Sequence, residues 1–235
     1  MDSLAYGYCH LPLLSMRATG SHRSELVNQL LHNELYSCIE QETEWYKIRS
    51  WHDAYEGWIP KEQFYSCSEI DFKARQVFYK APVQNAFIST PNGFRYLGSP
   101  QEKLPTKKLQ LADLIPLGDQ FLNSPYLWGG RSVSGIDCSG LIQVLFRSIG
   151  LQLPRDAYQQ AEVGLVIPFE EHKLGDLAFF HNTAGKITHV GLVIGPNKIL
   201  HASAWVRIDE LKDSGIWHKS TKTHSLTKIT RPPTP

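Results

Sequence analysis

Apolar positions in the second half of the chain change period twice. Leu141, Ile142, Leu145, Phe146 and Ile149 recur at helical spacing and predict an amphipathic helix. Asp137 stands at its N-cap and Gly150 at its C-terminal stop, with Pro154 beyond. The run Asp176-Leu177-Ala178-Phe179-Phe180 then suits a buried strand. Ile187 to Ile194 forms a second such run, Gly195-Pro196-Asn197 a turn, and Ile199 to Ser203 a third strand. In the front half the apolar runs are shorter: Trp45 to Ile48, Gly57 to Ile59, Val77 to Tyr79, Ala86 to Ile88 and Phe94 to Tyr96. Turn residues separate them, as in small β-barrels. Ser24 to His32 reads as a helical turn or a strand. A helix is expected over Leu109 to Leu122, starting late or kinked because Pro116 fits badly in a helix interior.

This pattern places Cys138 on the first turn of a helix. Unpaired N–H groups and the helix dipole favour negative charge there, and such positions lower a thiol pKa. The charge of Asp137 opposes that effect, so a basic partner is still needed. A cysteine on a helix is usually a small buried hydrophobe. The context points to chemistry, because Tyr126-Leu127-Trp128-Gly129-Gly130 stands upstream and Gly135 and Gly140 flank the thiol. Glycine pairs let backbone pass close to a substrate.

His189 and His201 lie on consecutive predicted strands, twelve positions apart (201 − 189). Side chains alternate along a strand, so an even separation permits one shared face. A turn centred near Gly195 makes them cross-strand neighbours; one centred between Pro196 and Asn197 puts them on opposite faces. On a shared face His189 can take the thiol proton and return it to a leaving amine, while His201 orients its imidazole. Metal binding is the weaker reading: there is no His-Glu-x-x-His, and Cys9, Cys38 and Cys67 have no paired ligand spacing. No cofactor is expected.

Six motifs in order then resemble the NlpC-type (NlpC/P60) cell-wall peptidases. They are Pro125 to Gly130, Asp137-Cys138-Ser139-Gly140-Leu141, Leu153 to Ala157, Gly175-Asp176-Leu177, Thr188-His189-Val190-Gly191 and Leu200-His201-Ala202-Ser203. The matches span roughly residues 109 to 231 and are specific as a set. The resemblance implies a papain-like α+β fold with Cys138 as nucleophile, His189 as base and His201 as the orienting residue. It implies substrate contacts at Tyr126, Asp137, Ser139 and Arg155. The stretches Glu44 to Arg49 and Tyr55 to Ile59 resemble the bacterial SH3-like (SH3b) domain that precedes the peptidase in the recycling branch of this family. In that branch the resemblance implies that Tyr55 and Asp137 hold a free amino terminus, with Glu25 a further acidic contact. The expected organisation is an SH3-like β-barrel over residues 1–104, with a possible split near 64, and a peptidase domain over 105–235. Lys103 to Lys108 reads as the linker.

A chain of 235 residues, 42% hydrophobic and 20% charged, is an ordinary globular composition with room for two domains. A net charge of +1 leaves no nucleic-acid footprint. No run reaches the roughly 18 apolar residues of a membrane span. Met1 to Cys9 lacks a basic start, and Leu11-Pro12-Leu13-Leu14 is too short for a signal core. Four cysteines, one assigned to catalysis, leave an odd remainder that fits reduced thiols. A cytoplasmic setting is therefore expected, where the substrates are peptidoglycan-derived short peptides. The resemblance implies a γ-D-glutamyl-L-diamino acid endopeptidase of the dipeptidyl-peptidase VI type, releasing L-Ala-D-Glu, with diaminopimelate and lysine both open at the third position. The alternatives are a thiol amidase or acyltransferase with the same groups, and a peptidoglycan-binding module without turnover.

Overall fold

In the strand Leu13–Arg17 the side chains of Leu14 and Met16 are buried while their neighbours are half-exposed, the alternation expected of a sheet with one covered face. That strand belongs to the first of two compact units in a computed structural model that describes residues 4–80, 87–90, 93–96 and 109–233. The first unit comprises Met1–Lys108 and Trp128–Ser132; the second comprises Leu109–Leu127 and Val133–Pro235.

The first unit contains β1 (Ala5–Tyr8), β2 (Leu13–Arg17), β3 (Leu26–Leu31), β4 (Leu35–Gln41), β5 (Trp45–Ser50), β6 (Glu56–Pro60) and β7 (Ser66–Cys67). Their antiparallel sheet has the order β3-β2-β6-β5-β4-β1-β7, and the domain is SH3-like. Leu14, Met16, Leu30, Tyr36, Ile48 and Ile59 form its core, with Tyr55 packed at the edge. β7 pairs with β1, so the sheet continues past residue 64.

Ser24 to His32 contains a strand, β3, one of its two expected readings. One expectation changes in this unit. Val77-Phe78-Tyr79, expected as a strand, lies instead in α1 (Glu69–Lys80). The Ser68 hydroxyl accepts from the Asp71 N–H at 3.1 Å, and Glu69 and Asp71 supply acidic groups to the first turn. A three-residue apolar run cannot by itself separate strand from helix; the start signal upstream decides. β8 (Phe87–Thr90) and β9 (Gly93–Tyr96) form a hairpin where two short strands were expected. The linker expected at Lys103 to Lys108 lies outside the described residues, as do Pro82, Pro91, Pro100 and Pro105. Arg131–Ser132 forms β10.

The second unit starts late in its first helix, α2 (Leu114–Asp119), which puts Pro116 in the first turn, where its missing N–H costs nothing. β11 (Gly135–Ile136) leads to α3 (Cys138–Ser148), followed by α4 (Ala157–Gln160). Then come β12 (Leu165–Ile167), β13 (Leu177–His181), β14 (Ile187–Gly195), β15 (Lys198–Ser203), β16 (Trp205–Lys212), β17 (Gly215–His218) and β18 (Thr221–Arg231). β18 pairs with both β13 and β17, which closes six antiparallel strands into a barrel. Ala178, Phe180, Val193, Ile199, Leu211, Ile216 and Ile229 cluster in its core.

α3 is not an amphipathic surface helix: every residue from Cys138 to Ser148 is buried. Its polar side chains are accommodated inside, with Gln143 donating to the Leu153 carbonyl at 3.0 Å. Gly150 follows the helix at φ 92°, the left-handed conformation a C-terminal glycine supplies. Among the described residues, no helix is long and apolar enough to cross a membrane. All four cysteines are free thiols.

Candidate active site

Asp137 caps α3 in extended backbone conformation, its carboxylate accepting from the Gly140 N–H at 2.6 Å. This fixes Cys138 at the first helical position. Its thiol sits 4.0 Å from the carbonyl oxygen of Thr188 and accepts from the N–H of Val190. Those two residues bracket His189 on β14.

The register of β14 with β15 pairs Leu192 with Leu200 and Val193 with Ile199, which sets His201 opposite Gly191. The turn itself is Pro196-Asn197, with Gly195 opposite Lys198, the centring expected to separate the faces; a register shift between Val193 and Gly195 reverses that outcome. The histidines still share a face, as diagonal neighbours. Gly191 makes this possible. A Cβ there would stand 3.1 Å from the His201 Cβ and under 3 Å from Ile199, so the missing side chain leaves room for His201 to reach across. His189 Nε2 and His201 Nδ1 lie 2.9 Å apart. His201 Nε2 lies 2.9 Å from Asp209 Oδ2.

The electrostatics differ from the expectation for a helix N-terminus. Burial pushes the Cys138 thiol up to about 12, and the charge of Asp137 adds to this; N–H groups of Val190 and Ser139 and the Arg155 charge only partly offset it. The expected lowering is thus overturned, because a buried thiolate loses more hydration than one helix turn restores. Burial also holds His189 well below its ordinary value, helped by His201, His224 and Arg207. His201 is lowered by burial although Asp209 pulls the other way. Both shifts favour the uncharged thiol and the uncharged imidazole over a standing ion pair.

Around the thiol, Arg155 is buried and grips Asp137 through Nη1–Oδ1 at 3.0 Å and Nη2–Oδ2 at 2.5 Å. It also donates to the Ser139 hydroxyl at 2.9 Å. Asp137 is therefore a cap and half of a buried ion pair. Tyr126 is half-buried, held by its N–H to the Ala204 carbonyl at 2.9 Å. Burial raises its phenol, and the Cys138 and Asp137 charges raise it further, which places it within their electrostatic reach. Cys138, Asp137, Ser139, Arg155, Tyr126, His189 and His201 all belong to the second unit. Tyr55 and Glu25 belong to the first: Tyr55 is half-buried beside its core and Glu25 is exposed.

Sequence reasoning missed Asp209, Arg207 and His224. His224 stacks on His189 with ring centroids 4.1 Å apart and planes at 21°. Arg207 and Asp209 follow at period two on β16, directly after the histidine strand, and that alternation was the available signal. His224 stands two strands later in sequence and carries no local signal. His189, His201 and His224 bring their ring nitrogens within 4.8 Å. Metal ligation needs the ion in the plane of each ring, and two nearly parallel stacked rings cannot both meet that condition.

Known proteins match both units. Residues 123–225 match the NlpC/P60 family, and residues 16–64 match the bacterial dipeptidyl-peptidase Sh3 domain. The chain is 42% identical over 139 residues to a gamma-D-glutamyl-L-lysine dipeptidyl-peptidase of Bacillus subtilis, covering 57% of this chain and 47% of that protein. It is 38% identical over 115 residues to the probable endopeptidase NlpC of Escherichia coli, covering 45% of this chain and 75% of that protein. The chain thus spans about half the length of the first of these relatives. A crystal structure of an NlpC/P60 family protein from Bacillus cereus shares the fold, with a TM-score of 0.73 over 97% of this chain and 99% of that one at 19% identity.

Proposed function

Because the chain belongs to the NlpC/P60 family of peptidoglycan hydrolases, we propose that it is a cysteine endopeptidase that cuts the γ-D-glutamyl-L-diamino acid bond of short stem peptides with a free amino-terminal L-Ala. The observation that carries this reading is the thiol of Cys138, held at a capped helix start against the strand that bears His189, with His201 2.9 Å behind that imidazole. The dipeptidyl-peptidase name of the B. subtilis relative, and the SH3-like first unit, support the choice of bond.

In this mechanism His189 removes the Cys138 proton as the sulfur attacks the γ-glutamyl carbonyl. The developing oxyanion meets the Cys138 backbone N–H, which has no intrahelical acceptor, and the Tyr126 hydroxyl. The tetrahedral species collapses to a thioester as His189 gives its proton to the departing amine. Water, deprotonated by His189, then hydrolyses the thioester and restores the thiol. Asp137 and Ser139 are proposed to receive the free ammonium of L-Ala. Arg155 fixes Asp137 and keeps a second uncompensated charge away from the forming thiolate.

Incubation with L-Ala-γ-D-Glu-diaminopimelate, and separately with the lysine peptide, should release L-Ala-D-Glu, read by mass spectrometry. Cys138→Ala should abolish release; retained turnover would remove the nucleophile. Acetylating the peptide's amino terminus should slow cleavage sharply, and equal rates would sink the ammonium contact.

A further inference from the structure

The geometry points to Asp209 as a positioning residue of this site, one that sets which nitrogen of each imidazole carries its proton and so turns the free lone pair of His189 toward the thiol. This rests on the reading of Cys138 and His189 given above, and it assigns the group behind them. Asp209 is buried on β16, where Ile199 is its cross-strand partner and Arg207 faces His201. From there its carboxylate reaches diagonally behind His201. Oδ2 lies 2.9 Å from His201 Nε2 and 2.8 Å from Arg207 Nε, and Oδ1 lies 2.7 Å from His218 Nδ1.

The proton order follows from donor and acceptor counting. Burial opposes ionisation of Asp209, yet the hydrogen bonds from His201, His218 and Arg207 hold its carboxyl below the ordinary carboxylate range. An ionised carboxylate only accepts. His201 Nε2 must therefore carry the N–H. A neutral imidazole has a single N–H, so His201 Nδ1 is an acceptor. It faces His189 Nε2 at 2.9 Å, and that nitrogen must in turn carry its N–H. His189 Nδ1 is left with the lone pair, the form a general base requires. During attack the thiol proton moves to His189 Nδ1 and no further. The imidazolium keeps donating to His201, which keeps donating to Asp209. The charged and titratable groups facing this chain are Arg207, His218, His224 and Asp209 itself. Asp209 is the carboxylate among them, and so it is the group placed to balance the new positive charge.

The test is nitrogen-resolved NMR of the histidine rings in the full chain, with kinetics on the same samples. The unsubstituted protein should show Nε2–H on both His189 and His201. Asp209→Ala should lose that pattern and lower kcat about 10²-fold at nearly unchanged KM. Asp209→Asn should keep the pattern, because Arg207 Nε demands an oxygen at the Oδ2 place, while its lost charge gives a kcat between the two. Nδ1–H on His189 in the unsubstituted protein overturns the proposal, whatever peptide is cleaved. So does a folded Asp209→Ala protein with the native pattern and native kcat. If Asp209→Ala does not fold, a native kcat in Asp209→Asn overturns the role of the charge. If the tripeptide is not cleaved at all, the proton pattern alone decides, since it does not depend on the substrate.

Discussion

Each unit buries an arginine against a carboxylate, and the two pairs serve different ends. In the first unit Arg131 grips Glu34 through contacts at 2.7 Å and 3.0 Å and donates to the Gln29 carbonyl at 2.8 Å. Arg131 stands about a hundred residues from these partners in sequence, so the cluster fastens the Trp128–Ser132 segment into the SH3-like unit. Burial opposes ionisation of the neighbouring Asp53, yet His52 and Arg131 hold its carboxyl far below the usual range. In the second unit Arg155 and Asp137 are eighteen residues apart and sit beside a thiol. The first pair carries architecture; the second sets the charge beside the Cys138 thiol, the proposed nucleophile. Burial alone does not separate these uses, because both arginines are almost wholly buried. What separates them is the neighbour: a second acid in one case, a thiol in the other.

Arg155→Met should sharpen this contrast most. It leaves Asp137 buried without its cation, at a cost of about 3–5 kcal/mol in stability. It should also lower kcat strongly in whatever protein folds, because an uncompensated carboxylate then opposes the thiolate. Arg131→Met should carry a comparable stability cost of about 3–5 kcal/mol but leave kcat of the folded fraction near its starting value. Urea unfolding with active-site titration reads both quantities. Equal losses of kcat would break the distinction.

Gly191→Ala tests the space that lets the histidines meet. The added methyl must displace the tip of Ile199 and press on His201, a strain of about 1–3 kcal/mol. Activity should fall more than stability. An unchanged kcat would show that His201 does not depend on that gap.

The smallest expected effect concerns pH. Burial holds His224 at about 4, against an ordinary 6.5. Between those values the unfolded chain binds a proton that the folded chain refuses, so stability rises with pH across the window and falls on acidification through it. His224→Phe should flatten part of that slope in urea midpoints measured across the same range, while the His189 contribution, of the same sign, remains. A slope unchanged in His224→Phe would place the acid sensitivity elsewhere.

Much of the catalytic unit was legible from local pattern. Asp137 as cap, Gly150 as stop and the strands around His189 and His201 each rest on nearest-neighbour rules of backbone geometry, which a sequence states directly. The even separation of the histidines was legible, but the turn at Pro196-Asn197 alone would have put them on opposite faces. The register shift between Val193 and Gly195 that restores a shared face depends on how both strands pack. Val77 to Tyr79 misled because three apolar residues satisfy either period.

Local sequence by itself determined where the helix of Cys138 starts, which strands bear the histidines, and which family motifs stand in order. Tertiary structure alone decided that α3 is buried all round, that Asp209 and His224 complete the surroundings of His189, and that Arg131 closes on Glu34. It also reversed the sign of the thiol shift. The helix turn that favours a thiolate is a local property of a few peptide dipoles. The desolvation that outweighs it is set by every element packed around Cys138, and no window of sequence contains that sum.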